Sequence, residues 1–423
     1  MGSSDADHPT EIPLQERLEL SGLTTFARNK RLPIHRWFPY LQGFSRDLVD
    51  LMMRELNTGN QSRILDPFCG CGTTILTSAQ RGMPSVGVDV FPLATFVTKV
   101  KLQRGYKMHE LSAEIDRTSR VKPDSASAEL AAQMVEEFPF MEKAFSKRNL
   151  SELLAIREAV VGGKSDLTTK NFLMLGLAGI MEAVGFYKRD GAHYKYIDNK
   201  VTPRVSEAYL QKTKSMYSDL SISTLESLPQ EAHAEVYEDD ARKISKVDSG
   251  SVDRVITSPP YLNRDSYVGQ NKFEATMLDL LKSYEDYRRM TFDTFRSHVE
   301  AKKKFETDLH IPKLERSIDA VKQRALSNPK VPEMLYGYFE DMHLSLKEIY
   351  RVMKESGKVA MVVGNVSWSG VIFEVDQLLA EIAGMVGFKP EKIWVTRYKS
   401  NSVQQALKYG RTRLRESIVF LER

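Results

Sequence analysis

The sequence predicts an α/β protein built on a mostly parallel sheet, with one antiparallel strand and two helical inserts. Near both ends of the chain, short apolar segments alternate with segments whose apolar residues recur at helical spacing, as in parallel strands joined by helices. The stretches 102–232 and 262–340 are instead charged and helical in pattern. The last two predicted strands follow one another without a predicted helix between them, which favours one antiparallel strand.

Length and composition bound the class of protein. A chain of 423 residues is long for one compact domain and predicts a core fold with large inserts, or two domains. With 42% hydrophobic and 27% charged residues and no apolar run of membrane-spanning length, we expect a globular protein without a membrane segment or signal peptide. The net charge of +4 permits a nucleic-acid partner but does not argue for one.

The chain has only two cysteines, Cys69 and Cys71, and both lie in one glycine-rich loop. Two cysteines are too few for a disulfide framework or a four-cysteine zinc site. We therefore expect no metal centre, and we expect the protein in the reducing cytoplasm.

The first 45 residues carry two weaker signals. Residues 1–30 are mostly polar, and we expect them to form a loosely held arm. The stretch 33–40 is rich in aromatic residues and precedes a helix for which Ser45 is a plausible cap. This aromatic cluster can pack under that helix or form the wall of a ligand site, and the residues alone leave both open.

A strand, a tight glycine turn and a helix are predicted over residues 63–82. Asp66 ends the strand, Gly70 and Gly72 form the turn, and Gly82 ends the helix. A second strand ends in Asp89, close to the ~20-residue spacing at which nucleotide-binding folds place a ribose-binding acid. There is no P-loop lysine, and the third glycine of a dinucleotide loop is absent. The pattern therefore predicts a nucleoside ligand rather than a phosphate site.

The remaining elements return to the α/β pattern after a helical middle region. Predicted elements are helices over 150–161 and 172–184, a strand that leads to Asp240, a strand over 252–256, a helix over 344–353 ended by Gly357, a strand over 358–365, a helix over 373–386, and strands over 392–396 and 415–421. The basic runs at 288–289 and 302–304 are interpreted as solvated helix faces.

The strand over 252–256 ends abruptly in Ser258, Pro259, Pro260 and Tyr261. Neither proline can donate a ladder hydrogen bond, so pairing stops there, and the fixed φ angles make a rigid corner. In open α/β sheets, ligands bind at the carboxyl ends of the strands. On these residues alone, a simple proline turn after a strand remains the alternative.

Residues 186–196 interleave four aromatic residues with basic ones around an Asp-Gly turn. This composition is typical of a loop that stacks on bases and contacts phosphates. A solvated hairpin explains it equally well.

The two motifs, Asp-Pro-Phe-Cys-Gly-Cys-Gly-Thr-Thr over 66–74 and Ser-Pro-Pro-Tyr over 258–261, together resemble the amino-group DNA methyltransferases that use S-adenosylmethionine. These enzymes make N4-methylcytosine or N6-methyladenine. The resemblance covers about residues 31–101 and 233–423 and implies a Rossmann-like fold with a seven-stranded, mostly parallel sheet. It divides the chain into an arm (1–30), a catalytic core (31–101 and 233–423), an insert for target recognition (102–232) and a second insert within the core (262–340).

The resemblance also implies roles for individual residues. Cofactor-binding positions are His35, Trp37, Phe38, Asp66, Pro67, Phe68, Gly70, Gly72, Thr73, Thr74, Asp89, Val90, Asp240 and Ala241. The catalytic tetrapeptide is Ser258, Pro259, Pro260 and Tyr261. Candidate DNA contacts in the inserts are Lys188, Arg189, His193, Tyr194 and Arg264. Double-stranded DNA is the expected partner, and a cognate restriction endonuclease is a candidate partner.

Members of the family that methylate cytosine N4 more often have serine at the first position of the tetrapeptide, so Ser258 favours cytosine N4 over adenine N6. The target base would be flipped out of the duplex. Since no Pro-Cys motif appears, methylation of a ring carbon is not predicted. Two alternatives remain, an RNA amino-methyltransferase and a catalytically inactive nucleic-acid-binding subunit.

Overall fold

The central feature of the computed structural model is an eight-stranded sheet covered by helices. The structure describes residues 12–40, 42–190, 193–222, 233–262, 266–304, 308–324, 326, 328–401 and 403–423. The strands are β1 Leu14–Glu16, β2 Ile64–Asp66, β3 Ser85–Asp89, β4 Tyr187–Asp190, β5 His193–Tyr196, β6 Ala234–Glu238, β7 Val252–Thr257, β8 Met353–Gly364, β9 Val366–Trp368, β10 Val371–Phe373, β11 Lys389–Ser400 and β12 Arg413–Glu422.

The helices fill the connections between these strands. They are α1 Arg46–Glu55, α2 Thr73–Gln80, α3 Pro92–Leu102, α4 Met108–Ser119, α5 Ser125–Glu137, α6 Phe140–Ala144, α7 Lys147–Val161, α8 Leu167–Ala178, α9 Met181–Val184, α10 Val205–Ile222, α11 Tyr267–Gln270, α12 Lys272–Met277, α13 Tyr284–Asp293, α14 Pro312–Lys322, α15 Val331–Val352, α16 Val375–Val386 and α17 Val403–Tyr409. Short 3₁₀ helices span Leu18–Leu20, Phe26–Arg31 and His35–Trp37. None of the helices described here is long and apolar enough to cross a membrane.

The strand order in the main sheet is β1-β11-β12-β8-β7-β2-β3-β6. Every neighbouring pair is parallel except the two pairs that involve β12. The predicted fold class, a mostly parallel Rossmann-like sheet with one antiparallel strand, is therefore confirmed. The sheet has eight strands rather than seven because Leu14–Glu16 adds β1 at the edge beside β11.

Both faces of the sheet are apolar because alternate residues of each strand point to opposite sides. Leu65, Val255 and Val359 belong to the core beneath α15 and α16. Their neighbours Ile64 and Ile256 belong to the core beneath α1. Burial on both faces is typical of parallel strands between two helical layers.

The first insert shares one hydrophobic core with residues of the N-terminal α/β region and of α12. Trp37 meets Phe172 of α8 edge to face, with ring centroids 5.3 Å apart. The same cluster of buried side chains contains Leu76 of α2, Val97 of α3 and Phe273 of α12. The first insert is thus packed against the core region rather than tethered to it.

The N-terminal arm differs from the expectation of a loosely held segment. From residue 12 onward it is packed, since β1 extends the sheet and Phe26 and Asn29 are buried. The Asn29 side chain donates a hydrogen bond to the Phe44 carbonyl and accepts one from the Arg46 amide, at 3.0 and 2.8 Å. These bonds fix the arm against the start of α1.

Two predicted boundaries in the last part of the chain were wrong. The helix predicted over 344–353 is the end of α15, which begins at Val331, and it stops at Val352 rather than at Gly357. Gly357 lies inside β8, where a Cβ atom would come within 2.6 Å of the Met353 side chain. The short helix α17 also lies between the last two strands.

Candidate active site

The carboxyl ends of β2, β3, β6 and β7 border one cavity that is open to solvent. Predicted residues that line it are Asp66, Pro67, Phe68, Gly70, Thr73, Asp89, Val90, Asp240, Ala241, Ser258, Pro259 and Pro260. Both sequence motifs and both later acids therefore meet at one edge of the sheet, where ligands bind in this class of fold.

The glycine loop after β2 has a backbone that only glycine adopts readily. Gly70 and Gly72 have φ angles of +51° and +79°. A Cβ atom on Gly72 would lie 2.5 Å from the Thr98 methyl group of α3. The Thr98 hydroxyl donates to the Gly70 carbonyl at 3.0 Å, and the buried Lys101 ammonium donates to the Cys71 carbonyl at 3.1 Å. Two hydrogen bonds from α3 therefore hold the carbonyl groups of this loop in place.

Asp89 ends β3 and is held by two backbone amides. Its carboxylate accepts hydrogen bonds from the Gly70 and Phe91 amides, both at 2.9 Å. Burial raises the pKa of Asp89 to about 6, although these amides oppose the shift. In the part of the chain that the structure describes, no ion pair is formed by Asp89, so its remaining lone pairs are available to hydroxyl donors of a ligand.

Asp66 has a different role, because its carboxylate joins two strands. The Thr257 hydroxyl at the end of β7 donates to it at 2.6 Å, and the Phe68 amide donates at 3.2 Å. Burial raises the pKa of Asp66 to about 6 as well. Asp66 thus ties the glycine loop to the strand that carries the Ser-Pro-Pro corner.

Asp240 lines the cavity beside a buried arginine. Arg242 pairs with Asp240 at 2.8 Å and with Asp341 of α15 at 3.1 Å. Burial alone would raise the pKa of Asp240, but the hydrogen bonds from Arg242 hold it below its ordinary value. Asp240 therefore stays ionised and fixed in direction at the cavity wall.

The Ser-Pro-Pro corner places Ser258, Pro259 and Pro260 on the cavity. The Ser258 hydroxyl donates to the Val362 carbonyl at 3.1 Å. Tyr261 lies beyond the set of residues that line the cavity. Its ring lies close to the backbone at Gly364, where a Cβ atom would be 3.2 Å away, and its hydroxyl donates to Glu416 at 3.2 Å.

Three aromatic positions predicted from the stretch 33–40 are not brought to the cavity. His35 and Trp37 are buried, where the His35 ring lies 3.4 Å from Gln80 and the Trp37 indole donates to Asp219 at 3.0 Å. Phe38 is buried in the core shared with the first insert. Tyr40, the last residue of that stretch, lines the cavity instead, together with Gln42, Gly43 and Phe44, which follow it.

Two further residues predicted to bind the cofactor, Gly72 and Thr74, do not line the cavity but support the structure of the glycine loop and of α2. Gly72 provides the close approach to α3 described above. The Thr74 hydroxyl donates to the Ile256 carbonyl at 3.2 Å, which joins α2 to β7.

Sequence reasoning missed a segment of the second insert, Thr294–His298, that closes one side of the cavity. Phe295 packs edge to face on Phe68 and on Tyr338, with ring centroids 5.6 and 5.7 Å apart. The neighbouring Arg296 anchors the segment through ion pairs with Asp341 and Glu340 of α15, at 2.6 and 2.7 Å. The segment contains no recognisable motif, so its position could not be foreseen.

His298 in this segment is neutral, because burial lowers its pKa to about 4. The Thr294 hydroxyl donates to the Thr291 carbonyl at 2.7 Å, so it accepts from the His298 Nε2 at 3.1 Å. The Nδ1 atom is then a buried acceptor that has no hydrogen-bond partner among the described residues.

The candidate DNA contacts differ in their exposure to solvent and in their hydrogen-bond and ion-pair partners. Lys188 is exposed on β4. Arg189 instead forms an ion pair with Glu274 of α12, with side chains 9% and 1% exposed, and the Tyr194 hydroxyl donates to the Gln270 carbonyl. The His193 side chain and Arg264 lie outside the described residues.

The cavity fits an adenosyl cofactor in its chemistry. The Asp89 carboxylate suits ribose hydroxyls, Phe68 and Phe295 provide apolar walls, and the Gly70 turn permits close approach of backbone. No group of three His, Cys, Asp or Glu side chains within the described ranges is arranged to hold a metal ion.

Comparison with known proteins gives relatives that span nearly the whole chain. M.BsoBI, a type II methyltransferase of Geobacillus stearothermophilus, is 27% identical over 451 residues, which cover 95% of this chain and 88% of that protein. M.AvaI, a type II methyltransferase of Nostoc sp., is 26% identical over 429 residues, which cover 94% of this chain and 88% of that protein.

Other comparisons add little. No protein-family model matches this chain. A solved S-adenosylmethionine-dependent methyltransferase from Methanosarcina mazei is 8% identical and covers 88% of this chain and 96% of its own, with a TM-score of 0.30.

Proposed function

We propose that this chain, an S-adenosylmethionine-dependent methyltransferase homologous to type II methyltransferases, methylates the exocyclic amine of a flipped base at a specific DNA sequence. The observation that supports this reaction most directly is the meeting of the glycine loop, Asp89, Asp240 and Ser258 in one cavity. The residues proposed to bind the nucleoside part of the cofactor and the Ser-Pro-Pro corner proposed to bind the target amine therefore line the same cavity.

The chemical task explains why a serine and a rigid corner suffice. The lone pair of an exocyclic amine is delocalised into the ring, so the site must draw the nitrogen toward tetrahedral geometry. When bound, S-adenosylmethionine supplies an electrophilic methyl group on a sulfonium sulfur. The protein must orient the amine toward that methyl group and receive the proton that leaves the nitrogen.

Ser258 and the Pro259 carbonyl are the proposed acceptors of the two amino hydrogens. Because the Ser258 hydroxyl donates its own hydrogen to Val362, its lone pairs remain free to accept. The proline corner holds these acceptors in place before the base arrives, which favours the reaction through orientation and preorganised electrostatics. The excess proton on the methylated nitrogen passes through Ser258 or directly to water.

Cytosine N4 is the proposed target, and adenine N6 is the second candidate. The serine at position 258 supports cytosine by its association with N4-methylating family members. The proposal includes base flipping, which takes a few kcal/mol, and stacking of the flipped base on Tyr261. The first insert, residues 102–232, is the proposed site of sequence recognition, and a restriction endonuclease of the same specificity is the proposed partner.

The test is expression in a host free of DNA methylation, followed by single-molecule sequencing of plasmid DNA and mass spectrometry of its nucleosides. A Ser258→Ala variant is the matched control. We expect N4-methylcytosine at one short sequence in the wild type and none in the variant. N6-methyladenine would keep the enzyme class and overturn the choice of base.

The same experiment separates the other candidate functions. Unmodified DNA together with methylated RNA would identify an RNA amino-methyltransferase. Unmodified DNA and RNA, with S-adenosylhomocysteine bound normally by the purified protein, would point to a subunit without catalytic activity.

A further inference from the structure

A stretch near the C-terminus has basic residues and no acidic ones. Residues 397–415, here called the basic tip, contain six basic residues and no acidic one. The basic residues are Arg397, Lys399, Lys408, Arg411, Arg413 and Arg415. Because the whole chain carries +4 and the basic tip +6, the remainder carries −2. This stretch alone therefore carries more positive charge than the net charge of the whole chain.

The basic tip extends from the same edge of the sheet as the Ser-Pro-Pro corner. It comprises the end of β11, helix α17 and the start of β12. Ser400 of β11 and Arg413 of β12 are the last pair of residues in the ladder between these two strands, before the connection through α17. Farther along β12, Glu416 pairs with Gly364, the last residue of β8. Since β8 runs parallel to β7, whose carboxyl end leads to Ser258, the tip lies on the substrate side.

The base of the tip is joined directly to Tyr261. Glu416 is 1% exposed and forms ion pairs with Arg397 and, at 2.6 Å, with Lys399. The same carboxylate accepts the Tyr261 hydroxyl at 3.2 Å, and the Lys399 ammonium lies 5.5 Å from the centre of the Tyr261 ring. The tip and the proposed stacking residue are thus parts of one rigid cluster.

Three basic side chains of the tip are exposed and available to bind a polyanion. Lys408, Arg411 and Arg413 are exposed, and none of them pairs with a carboxylate within the described ranges. The Arg413 guanidinium stacks 3.5 Å above the Tyr398 ring, which orders it. By contrast, Lys282 and Arg289 in the second insert are paired with acids three residues away, as expected of a solvated face.

We propose that the basic tip binds the DNA phosphate backbone beside the flipped nucleotide. This inference rests on the proposed function, and it assigns duplex positioning to the core sheet rather than to either insert. Lys408, Arg411 and Arg413 would displace counterions from DNA phosphates, which raises the affinity of the protein for DNA independently of base sequence. The connection through Glu416 then couples backbone contact to the position of Tyr261.

The test compares two triple variants of the full chain by fluorescence anisotropy on duplex DNA, in the presence of S-adenosylhomocysteine and over a range of NaCl concentrations. The first variant is Lys408→Ala/Arg411→Ala/Arg413→Ala. The control is Lys347→Ala/Lys354→Ala/Lys389→Ala, which removes the same charge near the opposite edge of the sheet, where β8 and β11 begin. Calorimetric binding of S-adenosylhomocysteine checks that each variant is folded.

For the tip variant we expect at least tenfold weaker DNA binding at 100 mM salt. The slope of log K against log salt should fall by roughly 0.9 for each phosphate contact that is lost. The control should bind DNA within about threefold of the wild type, and both variants should bind S-adenosylhomocysteine normally.

Two outcomes would overturn the inference alone. These are unchanged DNA affinity and slope in the tip variant, or an equal loss in the control variant. A wild type that binds S-adenosylhomocysteine but prefers single-stranded RNA to duplex DNA would overturn the proposed function as well. The two failures are therefore distinguishable.

Discussion

The hydroxyl of Ser258 donates its hydrogen to the carbonyl of Val362, 3.1 Å away on the neighbouring strand. This bond fixes the side-chain rotamer and the direction of the hydroxyl lone pairs before any substrate arrives. The residue that begins the Ser-Pro-Pro corner is therefore prepared as a hydrogen-bond acceptor.

Replacement of Ser258 by alanine removes that acceptor and should lower kcat by about 10²- to 10³-fold, the range typical for loss of one preorganised hydrogen-bonding group. Methyl transfer from labelled S-adenosylmethionine to duplex DNA measures the effect. S-adenosylhomocysteine affinity should stay within twofold, because the residue acts on the base. A rate within threefold of the wild type would contradict the assigned role.

Gly72 provides a second test, because a matched control glycine lies at the other end of the same helix. Gly72 and Gly82 flank α2 with φ angles of +79° and +70°, but only at Gly72 would a Cβ atom meet another side chain, at 2.5 Å. Gly82→Ala should lose ~1–2 kcal/mol of unfolding free energy for its left-handed backbone.

Gly72→Ala should lose a further ~1–3 kcal/mol through overpacking and should also weaken cofactor binding. Urea denaturation and calorimetry with S-adenosylhomocysteine measure the two effects. Equal losses of stability in both variants would show that the contact with Thr98 is of no consequence.

Asp89 predicts how cofactor binding depends on pH. Burial raises its pKa to about 6, so the carboxylate that would accept ribose hydroxyls becomes protonated as the pH falls through 6. The affinity for S-adenosylhomocysteine should therefore be constant above pH 7. Below pH 6 it should decline by at most about tenfold per pH unit, the limit for one linked proton.

Asp89→Asn should bind about 10- to 150-fold more weakly at pH 8, the equivalent of ~1.5–3 kcal/mol for hydrogen bonds to a charged group. Its pH profile should be flat between pH 5 and 8. If the variant kept the wild-type profile, another acid such as Asp66 would be responsible, since burial raises its pKa to about 6 as well.

Local patterns identified the parts of the site that are close together in sequence. The spacing from the glycine loop to Asp89, and the proline corner after β7, placed these residues correctly because both depend on the backbone of one or two elements. Contacts between distant segments were not accessible in this way. Phe295 comes from the second insert to contact Phe68, beside the ion pair of Arg296 with Asp341. His35 is buried away from the cavity, in a 3₁₀ helix whose Trp37 packs on the first insert.

Tyr261 can be tested separately for its ring and for its hydroxyl. Stacking of a base on an aromatic side chain contributes ~1–3 kcal/mol, so Tyr261→Ala should lower kcat/KM for DNA by roughly 5- to 150-fold. Tyr261→Phe keeps the ring and loses only the hydrogen bond to Glu416. It should keep most of the activity and lose about 1 kcal/mol of unfolding free energy. An equal loss of activity in both variants would assign the function to the hydroxyl.

Lys188 and Arg189 are adjacent basic residues for which the structure now predicts opposite consequences. Lys188 is exposed, so Lys188→Ala should leave stability unchanged and reduce the salt slope of DNA binding by about 0.9 if it contacts one phosphate. Arg189 is buried in its ion pair with Glu274, and burial raises the pKa of that carboxyl.

Arg189→Met should therefore cost ~3–5 kcal/mol of unfolding free energy, because it leaves a buried carboxylate without its partner. Arg189→Met/Glu274→Met removes both charges and should recover most of that loss. Urea denaturation of the single and double variants measures the difference. If Arg189→Met instead kept wild-type stability and weakened DNA binding with a lower salt slope, the guanidinium would have to leave Glu274 and reach a phosphate in the complex.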